Sequence, residues 1–342
     1  MNLKSYFFLL IFITLCSCET DFDITASYKD TMVVYGLLDP TQDIQSIRIN
    51  KSYLGREDAE TMGENYDSIQ YPVGDLEVSI YIDEDTSNRF YFTADTIEKN
   101  DNGSFATDNN VVYMLYDSDD LFVDSSATYN LVIFNKKNNE RITSSTNLIT
   151  EFEIIKSDIN GPFRFYDPTP PPGVTNFPFK QIRWTSAIYD GSYSDLTYQI
   201  DLQINYVEDN QDTLSVLWKQ APIISQPEND GEINLEGQQF FNFLSNNISE
   251  DPSKIRHFLS IDLIVSIGSP ELTKYININQ PSSGISQERL EYTNINNGIG
   301  IFSSRSTRVL RFFNLDRCSL DHLLTLDRNF VLTNLQNQLQ CQ

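Results

Sequence analysis

Leu196-Thr197-Tyr198-Gln199-Ile200-Asp201-Leu202-Gln203-Ile204-Asn205-Tyr206 places an apolar residue at every even position and polar residues at the odd ones. A period of two puts the apolar set on one face of a β-strand and the polar set on the other, so this stretch predicts a long strand with one face in a core. Its neighbours continue the theme. Lys180-Gln181-Ile182-Arg183-Trp184 and Ser215-Val216-Leu217-Trp218 alternate, and residues 256–267 form a long apolar strand. Ile299-Gly300-Ile301-Phe302 and Thr307-Arg308-Val309-Leu310-Arg311-Phe312-Phe313 read as two strands that close the sheet. Two short helices interrupt it. Residues 237–246 crowd Phe240, Phe241, Phe243 and Leu244 at helical spacings, while Ser269-Pro270-Glu271-Leu272 offers Ser as N-cap and Pro at the first helical position. Residues 151–315 therefore read as a β-sandwich with one or two short helices. Residues 316–342 form a tail whose Leu320, Leu323, Leu324, Leu335 and Leu339 have helical spacing and no evident cap.

The first half is also strand-rich. Thr31-Met32-Val33-Val34-Tyr35-Gly36-Leu37-Leu38 suits a buried strand, and Asp39-Pro40 marks a turn. Residues 46–50, 76–82, 89–93, 111–116 and 128–134 follow, and residues 141–150 return after the polar hairpin at 135–140. About seven strands at this spacing predict an immunoglobulin-like sandwich over residues 31–150. Residues 151–157 read as a linking strand, and Pro168-Thr169-Pro170-Pro171-Pro172-Gly173 as an extended loop. The fold class is thus mainly β, two tandem β-sandwich domains, the first immunoglobulin-like.

The chain opens with an address. Lys4 precedes the apolar run Tyr6-Phe7-Phe8-Leu9-Leu10-Ile11-Phe12-Ile13, which is of about the 7–15 residues of a signal h-region and too short to span a bilayer. Leu15-Cys16-Ser17-Cys18 then gives the small residue and upstream Leu that a lipoprotein signal peptidase needs before an acylated cysteine. Residues 1–17 read as a lipoprotein signal peptide, Cys18 as the lipidation site, and residues 18–30, with Glu19, Asp21 and Asp23, as an acidic tether. The lipid on Cys18 makes a membrane the first partner. Removing residues 1–17 takes away Lys4 and no acid, leaving 23 basic against 48 acidic side chains. Such a field repels nucleic acid, so no DNA or RNA partner is expected. In an oxidising envelope the remaining pair, Cys318 and Cys341, either forms a disulfide or stays as two buried thiols, since the Cα separation is not legible in sequence.

Tyr292-Thr293-Asn294-Ile295-Asn296-Asn297-Gly298-Ile299-Gly300-Ile301-Phe302 resembles a segment of Bacteroidota outer-membrane lipoproteins, in which Asn-Ile and a Gly-rich turn precede Gly-aliphatic-Phe. The order of parts resembles the family catalogued as domain of unknown function forty-two forty-nine: a lipobox, a strand like Val33-Val34-Tyr35-Gly36-Leu37-Leu38, a β-domain, then a second β-domain with a short helix before the Gly-rich turn. The stretch from Cys318 departs from that pattern. The resemblance implies a surface or periplasmic lipoprotein of the outer membrane, often encoded beside TonB-dependent transporters and without established activity; the acidic residues after Cys18 resemble surface-export tethers and favour the cell surface. Bacteroidota envelope proteins also carry O-glycans at Asp-Ser/Thr before an apolar residue, which makes Thr31, Ser68, Thr96 and Thr213 candidate O-glycosylation sites, with ordinary turn pairs as the alternative.

Catalytic signals are sparse. His257 and His322 are the two histidines, and there is no zinc-binding His motif, nucleophile elbow or phosphate-binding loop. No metal and no cofactor is expected. Asp101-Asn102-Gly103 reads as a hairpin turn, and Asp83-Glu84-Asp85 and Asp117-Ser118-Asp119-Asp120 as solvated acidic loops rather than calcium sites. Gly298 and Gly300 suit a bulge or close backbone approach. Trp184 and Trp218 have a carbohydrate-stacking reading beside the commoner one of core aromatics. The sequence expectation is a non-enzymatic binding or assembly partner, accessory to a TonB-dependent transporter. Its alternatives are an adhesin or surface-layer component and a hydrolase with a carboxylate pair in the second domain.

Overall fold

The computed structural model describes residues 31–52, 69–97, 110–116, 124, 126–149, 152–155, 158–190, 192–193, 195–209, 213–225, 230–279 and 291–341. Cys18, Ser68 and the loops at 101–103 and 117–120 lie outside the described residues.

The first seven strands are β1 (Met32–Leu38), β2 (Gln45–Lys51), β3 (Leu76–Ile82), β4 (Phe90–Ile97), β5 (Asn110–Leu115), β6 (Tyr129–Asn135) and β7 (Glu140–Thr146). Their order in space is β1-β2-β5-β4-β3-β6-β7. β4 is shared between two layers, because residues 90–92 pair with β3 and residues 93–97 with β5. In immunoglobulin lettering this is A-B-E-D folded over C-F-G, the D strand changing layers midway. Val34, Ile47 and Ile49 from one layer share a core with Val78, Ile80, Leu131 and Ile133 from the other, all with at most 1 % exposure. Alternation of buried and exposed residues along β2 shows why these segments become strands: each buries one face.

A second core is built on β11 (Leu196–Glu208), which pairs with β12 (Thr213–Trp218) and β13 (Ile223–Ser225) on one side and with β15 (Arg256–Gly268) on the other. Leu196, Tyr198, Ile200, Leu202, Ile204 and Tyr206 all enter this core, as the alternation predicts. β8 (Phe179–Trp184) and β14 (Gly231–Glu236) form a separate two-stranded sheet, as do the short β9 (Ile188–Tyr189) and β10 (Ser192–Tyr193). Among the described residues the α-helices are α1 (Gly237–Asn247), α2 (Pro270–Asn279) and α3 (Arg317–Leu323). α1 turns Phe240, Phe241 and Leu244 into the core, where Phe240 stacks on Phe165 at 4.3 Å.

β16 (Gly298–Phe313) ties the two cores together. Its first seven residues pair in parallel with β1, and its second half pairs antiparallel with β15. Phe302 and Ile295 pack among the residues of the first core although they follow the second in sequence. The fold is mainly β, a β-sandwich architecture with three short α-helices among the described residues.

Several sequence expectations are corrected. Residues 299–302 and 307–313 are one strand, because Ser303, Ser304 and Ser306 between them are buried with hydrogen-bonded hydroxyls at Ser303 and Ser304. Among the described residues of 151–157 there is a bridge between Ile154 and Trp184 but no linking strand. The tail does have a cap: Asp316 accepts a hydrogen bond from the Ser319 N–H at 2.9 Å and starts α3. Trp184 and Trp218 are core residues at 0 % and 7 % exposure, so neither forms a stacking platform.

Candidate functional site

Beyond α3 the chain crosses back over the sheet as a strap. Thr333 and Gln336 form a capping box: the Gln336 N–H donates to Thr333 Oγ1 at 3.3 Å and the Thr333 N–H to Gln336 Oε1 at 2.9 Å. This box opens the 3-10 turn Gln336–Gln338. Gln336 Nε2 donates to the carbonyl of Phe258 on β15, and Arg317 Nη1 donates to the carbonyls of Gln336 and Leu339. A disulfide joins Cys318 on α3 to Cys341, with Cα atoms 4.7 Å apart.

Between this strap and the ends of β15 and β16 lies an open groove of about 1410 Å³. Phe312, Leu335, Leu339 and Leu259 on its lining are 75 %, 77 %, 49 % and 39 % exposed. Its charged lining residues, Asp316 and Arg317, already hold the structure: Asp316 caps α3, and Arg317 ties the strap and pairs with Asp321 at 2.7 Å. What the groove offers is mixed contact: the apolar side chains stand beside the polar Asn314, Thr333, Gln338 and Gln340.

Phe312 is the unusual member. β15 and β16 lose register here: Leu263 faces Leu310 and Ile261 faces Phe313, so Arg311 and Phe312 together oppose Asp262. Such a bulge frees a backbone N–H. The buried Asp262 carboxylate accepts it, Phe312 N to Oδ1 at 3.0 Å, and takes Asn205 Nδ2 on Oδ2 at 3.2 Å. Phe312 itself adopts φ +68°, a left-handed conformation that is costly for a bulky residue. A strained backbone thus presents an aromatic ring to solvent at the mouth of the groove.

The remaining sequence-predicted residues lie elsewhere. His257 places Nδ1 3.2 Å from the Val331 carbonyl. His322 stacks on Tyr166 at 4.1 Å with Phe241 and Phe177 at its edges, and burial pulls its pKa below the ordinary histidine value. Neither ring lines the groove. Asp201 and Asp262 share the outer face of β11 and β15, each already accepting hydrogen bonds, Asp201 from Gln199 Nε2 and the Gln220 N–H. Of the candidate glycosylation sites, Thr31 is half-buried, while Thr96 and Thr213 are exposed. Asp83 turns the chain at φ +52°, its Oδ1 accepting the Thr128 N–H.

Sequence reasoning did not find the groove. The capping box Thr333-Asn334-Leu335-Gln336 was its readable signal.

A second polar cluster joins the two cores. Tyr189 donates to the Glu271 carboxylate at 3.1 Å and accepts the Asn147 N–H at 3.1 Å, while Ser269 links Glu271 to Ser303 through two 2.5 Å hydrogen bonds. Burial, and then the Glu271 charge, push the Tyr189 hydroxyl up to about 12. Ser269 and Ser303 have 0 % exposure, so this network fastens β7, β9, α2 and β16 rather than meeting a ligand.

No protein-family model matches the chain, and no curated protein matches it. Two solved structures, both titled as a cytokine receptor complex, overlap with it in part. One has 8 % identity over 68 % of this chain and 89 % of that chain with a TM-score of 0.19. The other has 10 % identity over 82 % and 96 % with a TM-score of 0.20.

Proposed function

We propose that this protein is a non-enzymatic binding or assembly partner, held at the outer membrane and exposed at the cell surface by lipid on Cys18, and accessory to a TonB-dependent transporter. The anchor rests on Leu15-Cys16-Ser17-Cys18 and the transporter on the resemblance at residues 292–302. The observation that carries a binding role is Phe312. Strain of roughly 1–3 kcal/mol at a bulky residue persists where the surroundings or function demand it, and Phe312 keeps its ring 75 % exposed at the groove. Apolar, partly exposed anchors of this kind serve protein contacts better than catalysis.

The test is a mild-detergent pull-down of the native protein from its own outer membrane, compared with Phe312→Gly. A stoichiometric transporter, lost in the variant, is the expected result. A solitary protein in both preparations overturns the assignment, and an unmodified Cys18 in intact mass overturns the anchor.

A further inference from the structure

The two ends of the main sheet are treated differently. At the β7 end the chain covers its own edge: Asn296 and Thr143 exchange backbone hydrogen bonds of 2.8 and 3.4 Å, and Asn297 Nδ2 donates to the Arg141 carbonyl. That strand also carries Glu140 and Arg141. Charged residues and a covering segment are the usual guards against strand addition.

At the opposite end β12 carries no charge, and among the described residues it is α1 that packs beside it, Phe240 and Phe243 lying against Trp218. Thr213-Leu214-Ser215-Val216-Leu217-Trp218 contains no charge and no proline. It pairs with β11 at all six residues without a register shift, and no described strand lies on its other side. Thr213 and Ser215 are exposed, and Leu214 and Leu217 are each 40 % exposed. In an antiparallel ladder alternate residues turn N–H and C=O away from the neighbour, so about half of this strand's backbone groups face outward.

We infer that β12 is a docking edge for an extended strand of a partner protein, one with apolar residues at alternate positions and cationic side chains at its ends. The formal charge of −24 opposes a second copy of the chain in that place. A strand with Lys or Arg complements that net charge, and an acidic one does not. Main-chain hydrogen bonds supply the attachment and alternate side chains the selectivity. This edge is distinct from the groove and does not depend on lipid at Cys18.

The test adds a short synthetic peptide of alternating Val and Thr with Lys at both ends to the full chain, and follows amide hydrogen exchange. Exchange across β12 is expected to slow at least tenfold, with no change when Glu replaces the terminal Lys or alternate peptide nitrogens are methylated. Leu217→Lys is expected to weaken the effect at least tenfold, while unchanged protection in β15 and β16 reports that the variant folds. Unaltered exchange in β12 overturns the proposal. So does protection that rises with protein concentration in the absence of peptide, which would identify a second copy as the occupant.

Discussion

Gly300 and Val34 stand directly across the parallel β1–β16 pair, and a Cβ on Gly300 would collide with the Val34 carbonyl oxygen. Gly300 also has φ +109°, so a side chain there is opposed by the backbone as well as by space. The contact decides whether β16 can close on the first core. Gly300→Ala is expected to cost about 2–4 kcal/mol, combining backbone strain with overpacking. Gly298→Ala is expected to cost less, since its φ is ordinary and its added Cβ meets Met32 O and Ile295 Cγ2 at 2.9 Å. Urea unfolding midpoints at constant m-value would rank the two, and equal losses would contradict this account.

Much of the sheet was legible because its strands bury one face each. The even residues of β11 needed only their alternation, and α1 only its crowded Phe residues. β16 was misread as two strands because Ser303-Ser304-Arg305-Ser306 looks like a loop, and the partners that permit its burial are far away in sequence. Ser304 Oγ donates to the Asn147 carbonyl, and Ser303 meets Ser269. β14 was missed because Glu232 and Asn234 dilute its pattern, and the close passage of Gly231 over the Trp184 ring is a tertiary fact. The left-handed Phe312 belongs to the same class, since a bulge opposite Asp262 exists only once two strands are paired.

Phe312→Gly is expected to stabilise the fold. Glycine adopts φ +68° without steric cost, and a ring that is 75 % exposed gives up little buried apolar area when removed. A gain of about 1 kcal/mol corresponds to a rise in Tm of about 1–2 °C in a chain of 342 residues. Phe312→Ala keeps the strain and should show no such gain. Scanning calorimetry of the two variants separates relief of strain from loss of the ring.

Alkaline pH should loosen the junction between the cores. Burial and the Glu271 charge raise the Tyr189 hydroxyl from 10.0 to about 12 in the folded protein. The folded state therefore holds the proton where the unfolded state has lost it. The stabilisation of the neutral hydroxyl is complete below pH 10 and disappears as pH rises from 10 to 12, by an amount on the order of 2 kcal/mol. Tyr189→Phe removes the titration along with the hydrogen bond to Glu271, so it should lower stability at neutral pH and flatten the decline above pH 10. Unfolding midpoints across pH 8–12 would test both parts. An unchanged slope in the variant would assign the decline to other tyrosines.

Cys318 and Cys341 close a loop with a sequence separation of 23, which constrains the unfolded chain by about 3 kcal/mol. Whether the whole protein feels that constraint depends on how the strap is held without it. Cys318, Leu320 and Leu323 are buried along α3, so that end of the loop opens only when the core does. The other end rests on the Arg317 bonds to the Gln336 and Leu339 carbonyls and on Gln336 to Phe258. Hydrogen bonds of net value about 1 kcal/mol each can keep the strap docked through the native range. The double variant Cys318→Ser, Cys341→Ser is therefore expected to remain folded and to lose about 3 kcal/mol in global unfolding. Adding Arg317→Met should then release the strap and make residues 333–341 sensitive to limited proteolysis. A global loss below about 1 kcal/mol in the double variant, with early cleavage of the strap, would instead mean that the strap opens by itself and that the disulfide alone sets the wall of the groove.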